Sequence, residues 1–453
     1  MDSVLNYLKR NQPRFIEELC DYVRFPSVSA QPQHRKDLQA CAVWLVQHCK
    51  QIGLEPKLCA TEGNPIVVAK TKRRKGKKHF LVYGHYDVQP PEPFDLWKSP
   101  PFEPRIVGRS LFGRGASDNK GQNLAHLKAV EAHLKTGTEL PCDITFVIEG
   151  EEEVGSKSLA GFLKKNRREL RCDAIVISDT GMPDLKHPAL TYALRGIISF
   201  EIILHGPDRD LHSGIFGGSV ENPAMALARL LAKVRDDNGR ISIPGFYDGV
   251  APLSAYERKQ FKRIPQNDRE YRKLLGVPKL FGERGFSWQE QRTARPTFEI
   301  NGLTSGYQGE GSKTIVPSWA RAKITARLVP NQNPAHVRKV VSAFLKKNCP
   351  PTVRLELKAG HGAEPYIVSP KSSQARAALR ALRSAFGCEP VLMREGGSIP
   401  IVNQFKKILG ADSLLLGLGL PDDNPHSPNE KFNLDCFVKG QAMSARLWQE
   451  LSR

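Results

Sequence analysis

The chain has 453 residues, 40% of them hydrophobic and 25% charged, with a formal net charge of +20. That length holds two or three domains, and that balance is the one of a globular protein rather than a disordered or fibrous one. No apolar run reaches the roughly 20 residues that span a bilayer, and the nine cysteines, an odd number with no CxxC pair, favour reduced thiols in a cytosol over a disulfide framework or a thiolate zinc site.

Two amphipathic helical patterns open the chain. Val4, Leu5, Leu8, Ile16 and Leu19 share the apolar face of the first, and Leu38, Ala42, Leu45, Val46 and Cys49 that of the second. The start lacks the basic region and long apolar core of a secretory signal. The densest basic run, Thr71-Lys-Arg-Arg-Lys-Gly-Lys-Lys78, lies between two strand-like segments. No aromatic stripe or nucleic-acid motif accompanies it, so it reads as a solvated hairpin turn. The expectation is no nucleic-acid partner and no membrane partner, which leaves long-range steering of anionic substrates as a role for the charge.

Strands and helices then alternate to about residue 187, the rhythm of an α/β layer fold. The runs His79-Phe-Leu-Val-Tyr-Gly-His85, Asp143-Ile-Thr-Phe-Val-Ile-Glu149, Asp173-Ala-Ile-Val-Ile-Ser-Asp179 and Ser413-Leu-Leu-Leu-Gly-Leu418 read as buried strands of a parallel sheet. After Asp179 the character changes. Long mixed strands, Tyr192 to His205 and Trp319 to Leu328, and helices, Asn222 to Val234 and Pro334 to Lys347, predict a small α+β domain. The charged, proline-punctuated stretch 236–295 predicts an ordered insertion. A helix from Ala375 to Phe386, strand-like Pro390 to Met393 and a last helix from Leu434 to Leu451 complete the pattern.

Polar residues sit at or just past the apolar runs, where open α/β sheets bind ligands. His85, Asp118, Glu153, Asp179 and His426 suit the ligands of a two-metal hydrolase, and Glu152 suits its general base. Each is weak alone. Asp118 by itself reads as a helix N-cap, and Glu149-Gly-Glu-Glu-Glu153 as a solvated acidic turn. Five together at strand ends point to metal chemistry, with Asp87 as a carboxylate that orients His85. Because His426 must rejoin the early residues, the α/β domain is expected to be discontinuous, 1–187 with 371–453, interrupted by a domain over 188–370.

The strings Gly84-His85-Tyr-Asp87, Gly113-Arg-Gly-Ala-Ser-Asp118-Asn-Lys-Gly121, Glu149-Gly-Glu-Glu-Glu-Val-Gly-Ser156, Leu211-His212-Ser-Gly214, Arg394-Glu-Gly-Gly-Ser-Ile-Pro400 and His426-Ser-Pro-Asn-Glu430 run in order over nearly the whole chain. They resemble the M20 family of metallopeptidases, most closely its cytosolic dipeptidase branch. The resemblance implies a catalytic domain with a mixed, mostly parallel sheet between helices, interrupted by an α+β lid that also dimerises. It implies two divalent metal ions, zinc first and cobalt or manganese as alternatives. His85 and Asp179 would hold one, Glu153 and His426 the other, and Asp118 both. It also implies a cis peptide after Asp118, Glu152 as base and then proton donor, and His212 entering the partner subunit's site. Arg327, His361, Arg394, Gly397, Ser398 and, more weakly, Thr314 would contact a small peptide substrate. A cytoplasmic, homodimeric dipeptidase is the leading expectation. An N-acyl amino-acid deacylase of the acetylornithine or succinyl-diaminopimelate type is the alternative with the same chemistry, and a silent nucleic-acid-binding relative is the competitor from another class.

Overall fold

The computed structural model describes residues 1–453 apart from Ser398. The chain forms two compact units, one of residues 1–192, 368–393 and 401–453, the other of residues 193–367 and 394–400.

The first unit is built on a twisted sheet whose order across the page is Glu55–Cys59, Ile66–Lys70, Asp143–Glu149, His79–His85, Ala174–Ile177, Ser413–Leu415 and Ala189–Leu194. The four strands from Asp143–Glu149 to Ser413–Leu415 run parallel, and the flanking ones antiparallel. His79–His85 and Asp143–Glu149 are buried along their whole length. Strands covered on both faces must be apolar throughout, which is why these runs do not alternate. The helices Arg35–Ile52, Gln122–Lys135 and Ser373–Phe386 pack on the sheet, and Leu434–Ser452 packs across two of them.

The second unit carries an antiparallel sheet in the order Thr297–Ser305, Trp319–Leu328, Gly196–His205, Arg354–Ala363. In Trp319–Leu328 the even-numbered residues Ala320, Ala322, Ile324, Ala326 and Leu328 are buried, and the odd-numbered ones are partly or fully exposed. That period of two leaves one face of the sheet on a core shared with Pro223–Ala232 and Pro334–Asn348. Both helices begin at an Asn-Pro pair. The Asn222 and Asn333 side chains accept the orphan N–H groups of the first turn, and proline has no N–H to leave unsatisfied.

Three expectations about elements change. The first helical pattern is two helices, Asp2–Arg10 and Gln12–Val23, broken at Asn11 before Pro13. The break rotates the second face, so Phe15 and Leu19 are buried while Leu5 and Ile16 are only partly so. The long strand read over Tyr192 to His205 is two strands, Ala189–Leu194 and Gly196–His205, divided at Arg195. The run from Ser413 to Leu418 is a strand only to Leu415.

Candidate metal centre

The sheet order shows how distant residues meet. From His79–His85 the chain crosses to a neighbour on one side, Asp143–Glu149, and then passes over it to Ala174–Ile177 on the other. His79–His85 is therefore the switch point of the parallel strands, and the crevice outside such a point is where α/β sheets bind ligands. The register pairs His85 with Glu149 and Tyr83 with Ile177, which brings Asp179, two residues on, level with His85. Gly84 lets this edge close: a Cβ there would lie 2.7 Å from the Asn123 side chain.

Two acid–histidine triads form at this edge. His85, Asp118 and Asp179 offer donor atoms all within 4.8 Å of one another, as do Asp118, Glu153 and His426. Asp118 belongs to both. His85 Nε2 lies 3.2 Å from Asp118 Oδ1 and 3.7 Å from Asp179 Oδ1. His426 Nε2 lies 2.9 Å from Asp118 Oδ2 and 3.4 Å from Glu153 Oε2. The peptide bond between Asp118 and Asn119 is cis. His426 sits at φ +61°, in the left-handed region that few non-glycine residues enter.

The groups around the triads are as ordered as the triads. His85 Nδ1 donates to the Asp87 carbonyl at 3.0 Å, which aims Nε2 at the acids. The Asp87 carboxylate, expected to orient His85, lies 3.5 Å from Nδ1 and also accepts the backbone N–H groups of Glu152 and Glu153 at 3.2 and 3.0 Å. It thus holds the acidic loop. Gln89 donates to Glu153 Oε2 at 2.7 Å. Asn119 donates to Asp179 Oδ1 at 2.9 Å and accepts from His85 N at 3.3 Å.

One residue at the site had escaped the sequence reading. The Glu430 carboxylate accepts the N–H groups of Gly115, Ser117 and Asp118 at 2.9, 3.0 and 3.0 Å and pairs with buried Arg114 at 2.8 Å. It fixes the loop that presents Asp118. Burial pushes the Glu430 carboxyl up to about 7, against the opposing pull of Arg114. Its signal in sequence was its place in the string beginning at His426, which carried no role.

The electrostatics of the cluster call for cations. Burial raises Glu152 well above the usual carboxylate range, with Asp179, Glu153 and Asp118 adding to it while His85 opposes. Burial also raises Asp179 and Glu153. Asp118 moves the other way: burial is outweighed by the His426 hydrogen bond and the nearby His85 imidazole. Burial disfavours a charged His85, yet Asp118, Asp179 and Asp87 hold its imidazole well above the ordinary value. His426 is raised to about 10 by Asp118 and then Glu153. Protons on these side chains do the neutralising that divalent cations would do. Among the described residues, His85 Nε2 and Glu153 Oε1 are buried with no hydrogen-bond partner. Uncommitted imidazole and carboxylate lone pairs fit a divalent ion.

A third acid–histidine group in the same unit, Glu18, His48 and Glu131, is different. The Lys128 ammonium fills it, 2.5 Å from Glu18 Oε2, 2.9 Å from Glu131 Oε2 and 2.7 Å from His48 Nε2.

The expected substrate contacts lie in the second unit. Arg327 is half-buried on the sheet face opposite the core, and His361 joins that face through a 2.9 Å hydrogen bond between its Nδ1 and Ser199 Oγ. His212 and Thr314 are neighbours: Leu211–His212 pairs with Ile315–Val316, and Ser213 N donates to the Thr314 carbonyl at 3.0 Å. The His212 side chain is exposed, with Nδ1 accepting Gly214 N at 3.0 Å. Arg394 is buried against Glu257, and Gly397 faces open space. Ser398 lies outside the described residues.

The comparisons agree with this architecture. The model of peptidase family M20/M25/M40 matches residues 81–450. A Cys-Gly metallodipeptidase of Candida albicans is 33% identical over 97% of this chain and 95% of its own length. The crystal structure of human carnosine dipeptidase 1 superposes with a TM-score of 0.84 at 32% identity, over 100% of this chain and 98% of that one. That of an M20 family metallo-carboxypeptidase from Sulfolobus solfataricus gives 0.84 at 31%, over 97% and 99%. The chain belongs to peptidase family M20/M25/M40.

Proposed function

We propose that this chain is a metal-dependent dipeptidase using two divalent cations, zinc first, with cobalt or manganese suited to the same donors. The observation that carries this reading is the pair of triads sharing Asp118, with Glu152 close enough to feel the charges of His85, Asp179, Glu153 and Asp118. His85 and Asp179 would hold one ion, Glu153 and His426 the other, and Asp118 both. Bound there, such ions acidify a water and polarise a peptide carbonyl.

The chain's own residues handle the protons and the orientation. Glu152 accepts the proton of the attacking water and delivers it to the leaving amine. A carboxyl group held by burial above the usual carboxylate range is suited to both halves of that transfer. Asp87 keeps Glu152 in reach by holding its backbone N–H. Arg327 is assigned to the substrate's carboxylate, which a planar guanidinium can grip at two points. His212 is assigned to the oxyanion in the site of a second copy of the chain. Its exposure beside Ile215 and Phe216, themselves 70% and 39% exposed, supports an interface there and hence a homodimer. All nine cysteines are free thiols, which supports a reducing cytosol. No described helix is long and apolar enough to cross a membrane.

The test is a panel of dipeptides, longer peptides and N-acetyl and N-succinyl amino acids, offered to metal-reconstituted protein. Turnover of dipeptides with about two metal ions per chain is expected. Preference for longer peptides would turn the reading toward a carboxypeptidase, and preference for N-acyl amino acids toward a deacylase. Dipeptide turnover by metal-free protein would overturn the metal assignment.

A further inference from the structure

The stretch 236–295 carries a helix with an uncovered apolar face. In Asp268–Leu275, the residues Tyr271, Leu274 and Leu275 are three and four positions apart and share one side, and Arg269 and Lys273 fall on the other. A face of that kind normally packs on a core. Here Tyr271 is held, its ring stacked on Trp288 with centroids 3.7 Å apart. Leu274, by contrast, is 74% exposed, and Leu275 is exposed beside it. Gly276, at φ +67°, ends the helix, and the Val277 N–H donates to the Arg272 carbonyl at 3.1 Å, the bond that closes a Schellman turn. Val277 is exposed in that turn, and Phe281, farther along the loop, is 71% exposed. Across residues 265–279 every residue but Tyr271 is exposed.

The charge around these side chains is mostly of one sign. Residues 259–284 hold eight lysines and arginines against three acids. One acid, Glu283, is buried and already paired with Arg240 and Arg295 at 3.2 and 2.8 Å. The others, Asp268 and Glu270, lie in the first turn of the helix, whereas Arg272 and Lys273 lie in the last turn with the leucines. Among the described residues none of the eight basic groups is in an ion pair; Arg263 and Arg272 donate to the neutral oxygens of Gln260 and Pro278, each at 3.1 Å.

We propose that this face docks on an anionic lipid surface, with Leu274, Leu275, Val277 and Phe281 entering the headgroup boundary and the lysines and arginines meeting the acidic headgroups. A bilayer takes in projecting apolar side chains without a shaped pocket and attracts the basic residues that flank them. A second copy of the chain is a poor occupant, because a two-fold contact would set the same basic surface against itself. A nucleic acid would meet the charge through its phosphates and stack its bases on aromatic rings, leaving the leucines in water. The basic run over 71–78 has charge without an apolar side chain. The expectation of no membrane partner followed from that run and does not extend to this face.

The test is flotation of the full chain with phosphatidylcholine vesicles, with and without about one-third phosphatidylserine. Binding to the anionic vesicles alone, weakened by added salt, is expected. Arg269→Glu with Lys273→Glu should lower the partition about 25-fold or more, since each basic residue at such a surface is worth about fivefold. Leu274→Ser with Leu275→Ser should lower it about tenfold or more at unchanged charge. All four side chains are exposed, so the melting temperature should not move. Lys72→Glu with Lys75→Glu, in the other basic run, should lower the partition less than either pair. No binding to anionic vesicles would overturn the proposal. So would undiminished binding by the leucine variant, the mark of general attraction to a basic protein, or a loss as large in the Lys72 and Lys75 variant. If the leucine substitutions instead halve the molar mass in light scattering, the face joins two copies of the chain and the proposal fails. Should the leucine variant lose its cooperative melt, the contrast between the two charge-reversed pairs decides, and equal losses there overturn the proposal.

Discussion

Two clusters of the same residue types lie in one α/β unit, and their histidines titrate in opposite directions. In the Glu18, His48 and Glu131 group, burial and then Lys128 push the imidazole down to about 3. In the strand-edge group, Asp118 and Glu153 lift His426 to about 10. The difference lies in burial and in internal cations. Lys128 and Arg14 pair with both carboxylates of the first cluster, and burial first of all keeps its histidine neutral. Among the described residues the ion pairs of the second cluster's acids are with its own histidines, so it must take up positive charge from elsewhere, as protons or as metal. Donor identity alone does not make a metal site. What makes one is a set of donors whose charge the fold leaves uncompensated.

The largest expected effect separates the clusters by chemistry. Glu152→Gln should lower kcat about 10³-fold or more while metal content stays unchanged, the usual scale for losing a positioned acid–base group. Glu131→Gln, in the lysine-filled cluster, should leave kcat within about twofold, because a group remote from the reacting atoms contributes nothing to proton transfer. Comparable losses in both variants would dissolve the distinction.

The next effect is on stability. Glu430→Gln puts an amide where three N–H groups and Arg114 all require an acceptor. Breaking such a buried pair should cost about 3–5 kcal/mol, read by denaturant unfolding, and weaken metal binding in calorimetry. Full metal affinity in a destabilised variant would mean that Glu430 supports the fold and not the Asp118 loop.

The comparison is sharpened further by emptying the other cluster. Lys128→Ala should cost about 2–3 kcal/mol through lost charged hydrogen bonds. Because Arg14 also pairs with Glu18 and Glu131, at 2.7 and 2.5 Å, the double variant Lys128→Ala, Arg14→Ala should convert Glu18, His48 and Glu131 into a cation site. One more zinc per chain by elemental analysis than in the wild type, with a rise in melting temperature on adding zinc, is the expected result. No additional metal would show that the internal cations are not what distinguishes the two groups.

The smallest effect is on pH dependence. The folded His48 titrates near 3, below its ordinary value of 6.5. The unfolded chain therefore binds this proton first as the solution is acidified. His48 contributes stability that is full above about pH 6.5 and is lost as the pH falls toward 3. His48→Gln should flatten the stability curve across that window. An unaltered acid limb in thermal melts would remove His48 from the account.

The parallel strands could be read from the sequence because full burial demands largely apolar runs, and a short run with an apolar centre ending in His85 or Glu149 has few other uses. The five candidate donors were readable for a related reason: polar residues that end buried strands have to be accommodated at the sheet edge. The Asn-Pro helix starts were equally local, since capping is settled within one turn. Glu430 was not readable, because its partners are backbone N–H groups more than 300 positions earlier. Nor was the difference between the two acid–histidine clusters, since nothing in the spacing of Glu18, His48 and Glu131 says that Lys128 will point among them. The breaks at Asn11 and Arg195 also escaped a reading based on periodicity, which averages over a single residue. The strand Arg354–Ala363 did so too, being half-exposed and irregular in register.

Short-range preferences in the chain therefore decided which segments become strands and helices and which residues could serve as donors. Tertiary packing decided which acids are left without a counter-charge and how the loop bearing Asp118 is held. Charge compensation in a low-dielectric interior depends on side chains arriving from many places at once, and no local stretch of sequence records where they arrive.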